Sequence, residues 1–256
     1  MDSLELFNLK NKTALITGSG SGIGLALAEG LAGAGATIIL NGRHKDKLNT
    51  AAQQLEKQGV KVFKLVFDVT NSQEVKTAIE NFENKQGPID ILINNAGINI
   101  RGPFAGFDET EWKKVLDTNI NGAMIVSQAI APFMLERKAG KIINICSMQS
   151  ELGRPSIVPY TVSKGGIKML TKALATEWGG NNIQANGIGP GYFATELTKP
   201  LKDDPKFDKW LCNRTPAGRW GDVKELIGAA VFLSSEASNY VNGHILNVDG
   251  GLLASV

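Results

Sequence analysis

Cysteine occurs twice in 256 residues, at Cys146 and Cys212, which excludes a disulfide framework, and neither thiol has the companions a zinc site requires, so no metal is expected. The expected setting is the reducing cytoplasm. Histidine is equally scarce: His44 and His244 are the only two, and no G-x-S-x-G elbow accompanies them, which argues against a serine hydrolase. No apolar run approaches the length of about 18 residues that a membrane span needs. Residues 1–5 lack the basic start and apolar stretch of a signal peptide, so neither membrane insertion nor export is expected. A net charge of +2 gives no general drive towards nucleic acid or lipid. Any anion must therefore be recognised locally. Linker-like composition, internal repeats and low-complexity runs are also missing, which leaves one domain over 1–256 as the economical reading.

What is present is 43% hydrophobic residues with 29 glycines spread along the chain, a composition that suits an α/β domain with many tight strand-to-helix turns. Apolar runs at 13–17, 36–40, 60–67, 89–93, 141–146, 183–188 and 245–248 read as strands, and segments of helical spacing separate them. After the first strand comes Gly18-Ser19-Gly20-Ser21-Gly22-Ile23-Gly24, and helical spacing takes over at Ile23, Leu27 and Leu31. Strand, glycine-rich turn and helix form the arrangement that lets a backbone approach a pyrophosphate at a helix start. The second strand runs into Asn41-Gly42-Arg43-His44 with no acidic residue to repel a 2′-phosphate, and Arg43 offers a charged fork, so NADP is preferred to NAD. Asp68 and Val69 close the third strand where an adenine ring would lie, and Asn94-Asn95-Ala96-Gly97 close the fourth.

Asn71 with Glu74, and Asp108 with Glu111, have capping-box spacing for two helices. The second of these is expected to run on to Gly140 with Asn119 in its interior, where asparagine is unfavourable on propensity alone. A buried Asn119 is a candidate for holding a water chain behind Lys164.

The chemistry is concentrated between Ser147 and Lys164. Ser147 follows a buried strand, 141–146, and so sits at a carboxyl end, where open α/β sheets bind ligands. Tyr160 and Lys164 lie one turn apart on a helix whose apolar face is Ile167, Leu170, Leu174 and Trp178. A phenol is a poor base at neutral pH, but an ammonium about 4 Å away favours phenolate by up to about 4 kcal/mol at an effective dielectric of 20. Tyr160 then becomes a usable acid and base, with Ser147 donating a hydrogen bond to the substrate oxygen. Residues 192–216 read as the least regular part of the chain, an apolar and aromatic mixture of Phe193, Leu197, Phe207, Trp210 and Leu211, expected to cover the substrate.

With these residues in place, the chain resembles the short-chain dehydrogenase/reductase family from about 12 to 251. The likeness rests on Thr17-Gly18-x-x-x-Gly22-Ile23-Gly24, Asn94-Asn95-Ala96-Gly97, Asn119, Ser147, Tyr160-x-x-x-Lys164 and Pro190-Gly191. It implies a Rossmann-type, doubly wound sheet of seven parallel strands with helices on both faces, a nicotinamide cofactor and a homotetramer. It also implies roles: Tyr160 as acid/base, Lys164 on the nicotinamide ribose, Ser147 on the substrate oxygen and Asn119 in a proton relay. The cofactor contacts expected are Gly18, Ser21, Gly22, Ile23, Gly24, Arg43, His44, Asp68, Val69, Asn95, Ala96, Gly97, Tyr160, Lys164, Gly191, Phe193 and Thr195.

Within that family the segments 145–154, 190–193 and 210–216 are similar to those of the gluconate 5-dehydrogenases. This implies reversible hydride transfer between NADP(H) and C5 of gluconate or 5-ketogluconate. A sugar acid needs a carboxylate partner, and Arg101 and Arg154 are the cations placed to supply one, with Ser147 and Gln149 completing the substrate contacts. The alternatives are a 3-oxoacyl thioester reductase or another sugar dehydrogenase of the same family, and a non-catalytic NADP sensor, which intact Tyr160 and Lys164 argue against.

Overall fold

A computed structural model of the chain describes residues 3–196 and 198–256, so Leu197 lies outside the described residues. Seven strands form one sheet: β1 (Thr13–Ile16), β2 (Thr37–Gly42), β3 (Val62–Val66), β4 (Ile91–Asn94), β5 (Gly140–Ile145), β6 (Ile183–Pro190) and β7 (Ile245–Val248). The spatial order is β3-β2-β1-β4-β5-β6-β7, with every neighbouring pair parallel. The chain winds outward from β1 through β2 to β3, then returns to pair β4 on the other side of β1. The carboxyl ends of β1 and β4 therefore flank the point where the winding reverses, which opens a crevice.

The helices are α1 (Gly22–Gly33), α2 (Lys45–Glu56), α3 (Ser72–Lys85), α4 (Glu109–Leu116), α5 (Gly122–Arg137), α6 (Val158–Trp178), α7 (Lys199–Lys202), α8 (Pro205–Arg214) and α9 (Ile227–Ser234). Side chains alternate across the sheet with period two. Ile16, Ile38, Leu40 and Ile93 pack with Leu27 and Leu31 of α1, Leu48 and Leu55 of α2 and Leu233 of α9. Leu15, Ile39 and Leu92 point the other way, onto Val75, Ile79 and Phe82 of α3, Val126 and Ile130 of α5 and Leu174 of α6. Both faces are thus covered, which is why the strands read as continuous apolar runs.

Two elements differ from the sequence expectations. The expected long helix through Asn119 is interrupted, because Asp117–Asn121 forms a π turn between α4 and α5. The cause is tertiary: the buried Asn119 side chain accepts from Ile98 N (2.8 Å) and donates to Ile98 O (2.9 Å) and Ser163 Oγ (2.9 Å), and these partners hold the extra residue in the turn. Residues 192–216 are not irregular but carry α7 and α8. Asp204 caps α8 by accepting from Lys206 N at 3.0 Å, and Pro205 opens it.

The capping pairs are real at their first bond only. Asn71 accepts from Glu74 N and Asp108 from Glu111 N, whereas Glu74 reaches back to Asp68 N (3.1 Å) in place of Asn71 N.

Candidate active site

The crevice is a cavity of about 610 Å³ running from the β1–β2 turns past β4 and β5 to the segment after β6. All seventeen residues expected to contact a cofactor line it, as does Ser147. At its floor, Gly18 has φ 62°, and a Cβ there would stand 2.9 Å from Ala96 Cα. Only glycine lets the β1 and β4 turns approach so closely. The two turns are laced together: Thr17 Oγ1 accepts from Asn95 N (3.0 Å) and Ala96 N (3.1 Å), and Asn95 Nδ2 donates to Thr17 O (2.9 Å) and Gly18 O (3.0 Å). The asparagine therefore works through its amide, and its backbone is not left-handed. This narrow, backbone-lined floor ends at the start of α1 and fits the pyrophosphate of a dinucleotide.

At the β2 end, Asn41 is buried and donates to Leu65 O (3.0 Å) and Phe67 O (3.3 Å). Arg43 is exposed but not free, since Nη1 stands 3.5 Å from Asp68 Oδ2. The Asp68 carboxyl is held below the ordinary carboxylate range. Burial alone would raise it, and hydrogen bonds from Thr70 N and Oγ1 together with the Arg43 charge outweigh that effect.

Where β5 ends, Lys164 is 5% exposed and its Nζ donates to Ile145 O at 2.6 Å. An ammonium has three donors, so two remain for the cavity. Nζ lies 5.6 Å from the centroid of the half-buried Tyr160 ring. Ser147 Oγ accepts from Gln149 N (3.2 Å) and donates to Gln149 Oε1 (3.1 Å). A residue the sequence reading did not single out joins the two elements: Ser150 Oγ accepts from Ser147 N (3.3 Å) and donates to Lys164 O (2.8 Å). Ser163 does the same for Asn119, accepting from its amide and donating to Tyr160 O at 2.7 Å. Neither serine stands out in sequence, because serine is common and its partners are distant along the chain. Among the described residues no hydrogen bond joins the Asn119 side chain to Lys164.

The four residues expected on the substrate separate. Ser147 lines the cavity; Gln149, Arg101 and Arg154 do not. Gln149 is buried and orients Ser147. Arg154 is engaged elsewhere: Nη1 donates to Tyr192 Oη at 3.0 Å, and the guanidinium stacks 4.5 Å from the Phe207 centroid. Tyr192, Phe207 and Trp220 pack edge to face or tilted, with Trp220 Nε1 donating to Asp208 Oδ1 (2.6 Å). Arg154 thereby straps the 192–216 segment to the Ser147 loop. Arg101 is exposed and makes no hydrogen bond or ion pair among the described residues. Its ionisation is pushed below the usual guanidinium value, first by burial and then by the Arg154 cation, with Tyr192 and Tyr160 opposing.

Comparison with known proteins agrees with this geometry. The family model described as short chain dehydrogenase matches residues 12–206. A 5-keto-D-gluconate 5-reductase of Escherichia coli K12 is 54% identical over 252 residues, covering 98% of this chain and 99% of the relative. A gluconate 5-dehydrogenase of Gluconobacter oxydans is 52% identical over 256 residues, with 100% of both chains covered. The crystal structure of a gluconate 5-dehydrogenase from Burkholderia cenocepacia J2315, in complex with NADP and tartrate, superposes with a TM-score of 0.97 at 52% identity, covering 99% of this chain and 100% of that one.

Proposed function

The chain belongs to the short-chain dehydrogenase family, and from that premise we propose that it transfers hydride reversibly between NADP(H) and C5 of gluconate or 5-ketogluconate. The observation that carries the reaction class is the convergence of Ser147, Tyr160 and an anchored Lys164 on a cavity whose other end is a dinucleotide cradle. Bound there, the nicotinamide supplies or accepts the hydride.

Tyr160 gives its phenolic proton to the C5 oxygen as negative charge develops, and takes it back in the reverse direction. Ser147 donates to the same oxygen once its hydroxyl turns away from Gln149. Lys164, held by Ile145 O, keeps its two remaining donors on the Tyr160 side of the cavity. Asn119 spends its side chain on Ile98 and Ser163, so its part in the proton relay runs through the main chain of the π turn.

Arg101 is the cation for the substrate carboxylate. The tartrate in the Burkholderia cenocepacia structure, a small hydroxy acid, supports an anion-accepting pocket in this fold. The segment 192–216 covers the substrate, strapped down by Arg154. The protein works as a homotetramer, for which Met124, Val162 and Met169, exposed on α5 and α6, supply apolar surface. Its place is the cytoplasm, where two free cysteines are stable.

The rival within the family is reduction of a 3-oxoacyl thioester by the same residues. Purified protein offered NADPH with 5-ketogluconate, and separately with an acetoacetyl thioester, decides between them. Loss of nicotinamide absorbance with the sugar acid is expected. Turnover of the thioester alone overturns the assignment.

A further inference from the structure

We propose that Lys47 is a second cation for the 2′-phosphate of NADP and that, together with Arg43, it sets the preference for NADP over NAD; the inference rests on the cofactor reading above. A phosphate monoester carries a charge of about −1.5 to −2 at neutral pH. The permanent cations lining the cavity among the described residues are Arg43, Lys47 and Lys164. Lys164 is buried at the far end, on Ile145 O. Arg43 shares its charge with Asp68 at 3.5 Å, so that pair is neutral overall. A doubly charged group entering the β2 end therefore meets a balanced ion pair, and the unbalanced positive charge beside it is Lys47.

The position of Lys47 fits. It stands in the first turn of α2, and a Cβ added at Gly20 would lie 3.3 Å from Lys47 Cβ. Gly20, Gly42, Arg43, His44 and Lys47 thus line one corner of the cavity. No hydrogen bond or ion pair engages the Lys47 side chain among the described residues. His44, the residue that starts α2, makes no side-chain cap, so the first-turn amides add their positive field to the same corner. Asp46 shares that turn as a counter-charge, but it does not line the cavity. The ordinary account of such a lysine is a solvated charge on a helix surface. That account predicts that removing Lys47 leaves the discrimination between nucleotides with and without a 2′-phosphate unchanged.

The test is titration calorimetry of 2′,5′-ADP and of 5′-AMP, which differ only in the 2′-phosphate, against wild type, Lys47→Ala, Lys47→Arg and Arg43→Ala, with no turnover involved. Lys47→Ala is expected to weaken 2′,5′-ADP about tenfold, as loss of one charge-assisted contact should. It leaves 5′-AMP within about twofold, and Lys47→Arg restores binding. Equal weakening of both nucleotides, or of neither, in Lys47→Ala overturns the role of Lys47. If wild type itself binds 2′,5′-ADP no more tightly than 5′-AMP, the NADP reading fails first, whatever the variants do.

Discussion

At the β1–β2 end of the cavity the fold works with backbone. The Gly18 turn, the start of α1 and the Thr17–Asn95 lacing form a rigid floor, and the cations stand at its exposed rim. At the β6 end it works with side chains. Tyr192, Phe207, Trp220 and the Arg154 guanidinium form a cluster that holds two short helices over the Ser147 loop. The first arrangement suits a ligand whose phosphates never change. The second suits a ligand that must be enclosed and released, because contacts among a few rings and one cation are easier to part than a sheet edge. Between the two ends, Ser150 ties the Ser147 loop to Lys164 on α6, and Ser163 ties Asn119 to the Tyr160 turn of the same helix.

The comparison can be broken at its centre first. Tyr160→Phe removes the phenol that lines the cavity beside Lys164, and kcat is expected to fall by about three orders of magnitude, in the range of a lost general acid. NADPH affinity and thermal melting should stay near wild type. Retained turnover in folded protein would remove the chemistry from this site.

Next comes the division of labour between the two arginines. Arg101→Ala is expected to raise KM for 5-ketogluconate by about 10- to 100-fold, the size of a lost charge-assisted contact, with little change in KM for NADPH. Arg154→Ala should raise the same KM by only about threefold to tenfold, and it should also expose the buried Trp220, which packs on Tyr192 and Phe207, seen as a red shift of tryptophan fluorescence. Arg154→Lys keeps the charge but loses the planar stack on Phe207, so it should behave like Arg154→Ala. Equal effects of the two alanine variants on KM, with no change in fluorescence, would place Arg154 on the substrate after all.

The smallest effect lies far from both walls, at the amino end of β5. Burial, with the Lys12 charge and against that of Glu236, pushes Lys141 down to about 8. Between about pH 8 and its ordinary value of 10.5 the unfolded chain binds the extra proton, so stability gained from this group rises with pH across that window. Lys141 is only partly buried, and solvent screening reduces the gain to the order of 1 kcal/mol. Urea midpoints at pH 8 and pH 10 should therefore move in favour of wild type relative to Lys141→Met. A constant difference would show that the fold does not perturb this lysine.

The glycine turn, the strand ends and the Tyr160–Lys164 pair were legible in the chain because each is local. A turn needs glycine where φ is positive, and a helix brings residues four apart to one face. Arg154 shows the limit. Its place just after the Ser147 strand suggested a substrate ligand, but its partners, Tyr192 and Phe207, lie some 40 and 50 residues further on, and no spacing announces them. Asn119 is similar: its poor helix propensity marked it as unusual, while the π turn that accommodates it depends on Ile98 and Ser163. The Asp204-Pro205 start of α8 is a readable signal, but α8 buries only Leu211 fully, so its apolar spacing is weak.

By itself the sequence determined the seven strands, most of the helices between them, the glycine-rich turn and the placing of Tyr160 and Lys164 one turn apart, since these follow from backbone geometry and side-chain chemistry over a few neighbouring positions. The tertiary structure decided that Arg154 is engaged by Tyr192 and Phe207 while Arg101 makes no hydrogen bond or ion pair among the described residues, that Arg43 is paired with Asp68, and which serines join Ser147 to Lys164 and Asn119 to Tyr160. Charges and hydroxyls are neutralised by whatever stands within about 3 Å of them, and in a parallel sheet those neighbours come from strands and helices far apart in the chain.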